Sequence, residues 1–156
     1  MKHITVSNRI YFFSSLIVSI FLWGAAIGKI IAPHPFWPDL DLTVAAFEII
    51  FTLLLLAFYH RLEMWAMTAL LFAAWSGYSL FWTSWGLTCS CFGQMVHLPP
   101  GFSLVVDIIF SSAAFFLSYL LGIQRVKLFL CSTLAMAVFG FVIAHLLYFN
   151  VLFLEN

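Results

Sequence analysis

Long apolar runs separated by short polar or Pro/Gly-rich breaks organise this chain. A helix that crosses hydrocarbon needs about 20 mostly apolar residues. The pattern predicts five such spans, at Ile10–Ile31, Leu42–Tyr59, Met64–Trp85, Ser103–Gly122 and Leu128–Val151. No stretch alternates for long between apolar and polar positions, and a barrel would need more strands than the chain could supply. The breaks fit turns. Ala32-Pro33-His34-Pro35-Phe36-Trp37-Pro38-Asp39 is rich in Pro, and His60-Arg61-Leu62-Glu63 reads as a tight hairpin. Gly86 to Phe102 is the longest loop and contains Pro99-Pro100-Gly101, and Gly122 to Lys127 is another short turn.

Composition agrees with this picture. Of the 156 residues 65% are hydrophobic and only 8% are charged, more apolar surface than a soluble domain of this size could bury. Lipid is therefore the expected solvent. The formal net charge is +0, which gives no footing for nucleic acid. The expected architecture is all-α, a single transmembrane bundle over residues 1–156. Lys2 and Arg9 could suggest the charged start of a cleaved signal. However, the apolar run that follows is too long for one and lacks a clear small-residue cleavage site, so it is read as a retained span.

The basic residues orient the spans. Of the 6 Lys and Arg residues, all but Lys29 fall at one set of alternating span ends: Lys2, Arg9, Arg61, Arg125 and Lys127. The positive-inside rule makes that side cytoplasmic. The N-terminus is then expected inside and the C-terminus outside, with the Gly86–Phe102 loop facing the periplasm or extracellular space. Trp37, Trp82 and Trp85 are placed to form an aromatic belt at the outer interface, and Tyr11, Tyr59 and Trp65 at the inner one. Gly24-x-x-x-Gly28, Ala73-x-x-x-Gly77 and Gly140-x-x-x-Ala144 supply the small-residue spacing that lets membrane helices approach closely.

Lys29 lies inside the first span near its outer end, Glu48 about two turns into the second and Asp107 about one turn into the fourth. Charge in hydrocarbon costs at least ~2.5 kcal/mol at a helix centre and usually finds a partner. Pairing of Lys29 with Glu48, Asp107 or both is the expectation, with snorkelling of Lys29 to the headgroups as the competing one. Glu48-Ile49-Ile50-Phe51-Thr52 also resembles Asp107-Ile108-Ile109-Phe110-Ser111, which would fit a repeated helical hairpin.

The loop contains Cys89-Ser90-Cys91-Phe92-Gly93. Disulfides persist outside the cytoplasm. A bond between cysteines one residue apart must bend the backbone between them, because disulfide geometry wants Cα atoms about 4.4–6.8 Å apart. Strained, exposed bonds are exchangeable, which favours redox chemistry by Cys89 and Cys91. Met95 and His97 follow closely, and together with the thiols they suit Cu(I), the copper-handling alternative. A bridge to a partner protein, or two unpaired small residues in a structural subunit of a larger complex, are the other readings. Cys131 in the last span reads as packing, and so does His145; His3, His34 and His60 are tail or turn residues. A thiol attacks as thiolate, so a nearby cation would lower its pKa. Lys29 is the candidate, with Glu48 and Asp107 holding it or relaying protons.

Gly24-Ala25-Ala26-Ile27-Gly28-Lys29-Ile30-Ile31-Ala32-Pro33, the early acidic Glu48, and Cys89-Ser90-Cys91-Phe92-Gly93 together resemble the MauE/DoxX-like membrane protein family. The first looks like that group's Gly-x-x-Lys-Leu span end, and the last like the Cys-x-Cys-Phe-Gly signature of its MauE members. The resemblance covers roughly residues 10–122. It implies a four-helix bundle of the bacterial inner membrane, similar to the disulfide-forming DsbB and VKOR bundles, to which this chain adds a fifth span. It further implies thiol–disulfide work on a cysteine-containing periplasmic partner, with a quinone as possible electron acceptor. It does not extend to methylamine metabolism as such.

Overall fold

The computed structural model describes residues 8–87, 99 and 101–154, with backbone alone for 151–154. It is a bundle of α-helices: α1 (Asn8–Ile31), α2 (Pro38–Ala57), α3 (Leu62–Ser84), α4 (Phe102–Leu120) and α5 (Val126–Leu154). Each of the 5 is long and apolar enough to cross a membrane. The chain is a multi-pass membrane protein, and its exposed flanks, such as Ile17 and Ile20 of α1 or Val138 of α5, are lipid-facing.

The helices begin shortly before the apolar runs, and α2, α3 and α4 close just short of the expected ends, because the helix ends carry their own signals. α2 starts at Pro38, four positions before the predicted span, since proline at the first helical position has a pre-set φ and no N–H to leave unbonded. Asp39 and Asp41 follow in its first turn, where the helix dipole favours negative charge. α3 and α4 each end in a Schellman motif. Leu87 N–H donates to Trp82 C=O and Gly86 N–H to Thr83 C=O, and Ile123 and Gly122 do the same to Ser118 and Tyr119. Gly86 and Gly122 take the left-handed φ values, +68° and +96°, that this turn requires.

α3 is the centre of the bundle. It packs on α4 and α5, while α1 and α2 form a hairpin beside them. Trp65 and Ala69 of α3 join Tyr11, Ala114, Leu117 and Phe129 in one apolar cluster. Met64 and Phe72 join Val18, Leu22, Phe51 and Leu55 in another. α3 and α5 run parallel and touch backbone to backbone. A Cβ built on Gly77 would sit 1.7 Å from Ala137 O, and one on Gly140 would sit 1.8 Å from Ala74 O. Glycine is required at both positions, as the spacing of small residues led one to expect. Gly24 in α1 differs: nothing lies within 4 Å of its would-be Cβ, and the helix buries Ala25, Ala26 and Gly28 instead.

Two further expectations are corrected. Tyr11 and Trp65 are not belt residues but core, 5% and 1% exposed, with the Trp65 indole donating to Tyr59 C=O at 2.6 Å. Cys131 is exposed, and so is His145, whose ring meets Phe81 and Phe149. Both lie on α5, which packs one narrow face on α3 and leaves most of its circumference to lipid.

Candidate functional site

The α1–α2 turn, the α3–α4 loop and the C-terminal part of α5 share one end of the bundle. Inside that end, Lys29 occupies the last turn of α1, where a cation suits the helix dipole. Its Nζ donates to Glu48 Oε1 at 2.6 Å, and the two side chains are 7% and 1% exposed. Lys29 therefore does not snorkel; it forms a buried ion pair. The ammonium also stands 5.8 Å from the centre of the Trp75 ring, within cation–π range. Glu48 Oε2 has no hydrogen-bond partner among the described residues.

Asp107 lies five residues into α4 and is 3% exposed. Its Oδ2 accepts a hydrogen bond from Ser79 Oγ at 2.8 Å. The two hairpins thus repeat one device: an ascending helix donates to a buried acid on the descending helix, Lys29 to Glu48 and Ser79 to Asp107. The similar pentapeptides are buried alike as well. Thr52 and Ser111 are both buried, and Phe51 and Phe110 belong to the same apolar cluster.

Lys29, Glu48 and Asp107 line one cavity of about 250 Å³ to which all the helices contribute. Trp75 and Tyr78 of α3 supply aromatic wall, and Asp41 lies at the α2 end. The sequence reading missed Asp41, Ser79 and the aromatic wall. Asp41 was legible once Pro38 is taken as the helix start, because positions 41, 44 and 48 then fall on one face of α2. Ser79 gave no signal beyond being one more hydroxyl in a span.

The turn beside the cavity is also ordered. Asp41 Oδ2 accepts the His34 backbone N–H at 2.7 Å, and the His34 ring stacks on Trp37 at 4.9 Å. Burial holds the His34 pKa below its ordinary value, partly offset by the Asp41 carboxylate.

Cys89, Cys91, Met95 and His97 lie outside the described residues. The stems of their loop do not. α3 closes at Gly86–Leu87, α4 opens at Gly101, and a Cβ on Gly101 would lie 3.5 Å from the Thr83 methyl, so the two stems stand side by side. Among the described residues, no group of three or more His, Cys, Asp or Glu side chains is placed to hold a metal ion.

Fold and site together define a multi-pass helical membrane protein with a charged cavity buried at the loop end of its bundle. No protein-family model, curated protein or solved structure matches the chain. The likeness to MauE/DoxX-like proteins rests on the residues quoted for it.

Proposed function

We propose that this is a thiol–disulfide redox protein of the bacterial inner membrane, with Cys89 and Cys91 as the exchanging pair at the periplasmic face. One observation supports the reading above the others. The stems of the Cys-x-Cys loop are held together at the bundle end that buries Lys29, and the α4 stem leads within five residues to Asp107. The loop thus begins and ends at the end of the bundle that holds the buried Lys29–Glu48 pair, and a strained ring between cysteines one residue apart is of the exchangeable kind. In the forward reaction a thiolate of a periplasmic partner attacks the Cys89–Cys91 bond and forms a mixed disulfide. The partner's second thiolate resolves it. The partner leaves as disulfide with two electrons transferred to Cys89 and Cys91, whose thiolates take up from water the two protons that the partner's thiols released on ionising. Reoxidation needs a two-electron acceptor in the membrane; a quinone would serve, taking up two electrons and two protons to give quinol.

The test is differential labelling of spheroplasts under acid quench. A membrane-impermeant maleimide should add to two cysteines of the loop only after reduction, and Cys89→Ser should leave Cys91 labelled without reduction. Two freely reactive loop thiols in oxidising medium, or labelling only after membrane permeabilisation, would overturn the reading.

A further inference from the structure

The cavity at this end of the bundle brings more acidic groups to its walls than basic ones. Asp41, Glu48 and Asp107 bring three carboxyl groups, and Lys29 is the cation that lines it among the described residues. Lys29 is committed to one oxygen of Glu48. The other Glu48 oxygen has no hydrogen-bond partner among the described residues, although the residue is 1% exposed. Asp41 is engaged at the rim by the His34 N–H, and Asp107 Oδ2 accepts from the neutral Ser79 hydroxyl. A carboxylate that is buried without a full set of donors is costly, and a cation relieves that cost directly.

The remaining walls restrict which cation fits. Trp75 and Tyr78 present aromatic surface, and Val44 aliphatic surface. Leu40 of α2 and Phe139 and Ile143 of α5 also line the cavity while being 40%, 56% and 37% exposed, so they form its mouth. In a bilayer such side chains face hydrocarbon, and the mouth opens sideways into lipid rather than into water. A hydrated metal ion does not travel that way. The occupant must carry its own apolar surface. A cavity of about 250 Å³ falls just under the ~300–1,000 Å³ of sites for drug-sized ligands, which suits a single ring or a short chain.

We infer that this cavity is a binding site for a small monovalent organic ammonium with an apolar body, entering from the membrane between α2 and α5. The ammonium group answers Glu48 and Asp107, and the body rests on Trp75 and Tyr78, whose rings add cation–π attraction. The site stands on the cavity and its charges and does not depend on the redox chemistry of the loop.

The experiment uses the full chain in lipid nanodiscs and three probes of one shape: benzylammonium, benzyl alcohol and benzoate. Equilibrium dialysis should show saturable benzylammonium binding at least about tenfold tighter than benzyl alcohol, with no saturable benzoate binding. Asp107→Asn should weaken benzylammonium about tenfold in protein whose helical circular dichroism is unchanged. Ile143→Trp, at the mouth, should slow its association. The Cys89→Ser/Cys91→Ser double variant should bind it as the wild type does, so that the loop reading and this site fail separately. Absence of saturable benzylammonium binding, or equal affinity for the alcohol, overturns the inference on wild-type protein alone. Unchanged affinity in folded Asp107→Asn protein overturns it as well.

Discussion

Replacing Lys29 by Met leaves the aliphatic stem in place and removes the charge, so it isolates the ion pair. The Lys29 and Glu48 side chains are 7% and 1% exposed and 2.6 Å apart, so solvent screening takes little from their attraction. A surface pair would be worth about 0–1 kcal/mol. Removing one partner of a buried pair costs about 3–5 kcal/mol, because the other charge is stranded. Here the stranding is severe. Glu48 Oε2 already lacks a partner among the described residues, Oε1 would lose the Lys29 ammonium, and the Asp107 carboxyl lines the same cavity. Lys29→Met is therefore expected to lower unfolding free energy by about 3–5 kcal/mol, a large part of a typical total of about 5–15. Lys29→Met combined with Glu48→Gln leaves neither charge alone and should recover at least about 1 kcal/mol of that loss. Reversible unfolding in mixed micelles, followed by far-UV circular dichroism, measures both. A Lys29→Met protein within about 0.5 kcal/mol of wild type, or a double variant less stable than the single, would refute the reasoning.

The helix contacts give two further expectations. Gly77→Leu and Gly140→Leu drive side chains into the carbonyls of Ala137 and Ala74, and each should cost at least the ~1–3 kcal/mol of ordinary overpacking. Gly24→Ala meets nothing within 4 Å and should stay within about 0.5 kcal/mol of wild type, so equal effects at the three positions in the same unfolding assay would contradict the α3–α5 contact. Ser79→Ala removes the hydroxyl that donates to Asp107 Oδ2 and should cost about 1–3 kcal/mol, whereas Ser79→Ala in an Asp107→Asn background should cost clearly less.

The spans were legible because twenty apolar residues in a row have few soluble explanations. Their ends were less so. Pro38, Asp39 and Asp41 read as loop by polarity, yet proline at the first helical position and two acids in the first turn make a favourable helix start. Small-residue spacing found the Gly77 and Gly140 contacts but also offered Gly24, because the motif reports which backbone could approach another and not which does. The depths of Lys29 and Glu48 foretold their pairing, since an unpaired charge at that depth is costly. Asp107 came to the same cavity, but its donor, Ser79, did not stand out among the hydroxyls of the spans. The aromatic border residues were the weakest guide. A chain with 19% aromatics places some at every helix end, and only packing separates a belt residue from the buried Tyr11 and Trp65.

The redox assignment is tested most directly by the reduction potential of the Cys89–Cys91 pair. Purified protein is equilibrated in glutathione buffers of graded potential, acid-quenched and alkylated, and its intact mass is read. The two loop thiols should titrate together as a two-electron couple with a midpoint above about −300 mV, the range of exchangeable rather than structural disulfides. Cys131, on α5 and far along the chain from the loop, should alkylate throughout once the quenched protein is denatured, and serve as the internal reference. Two loop thiols that stay reduced at every potential, or a disulfide that no glutathione buffer opens, would contradict the assignment.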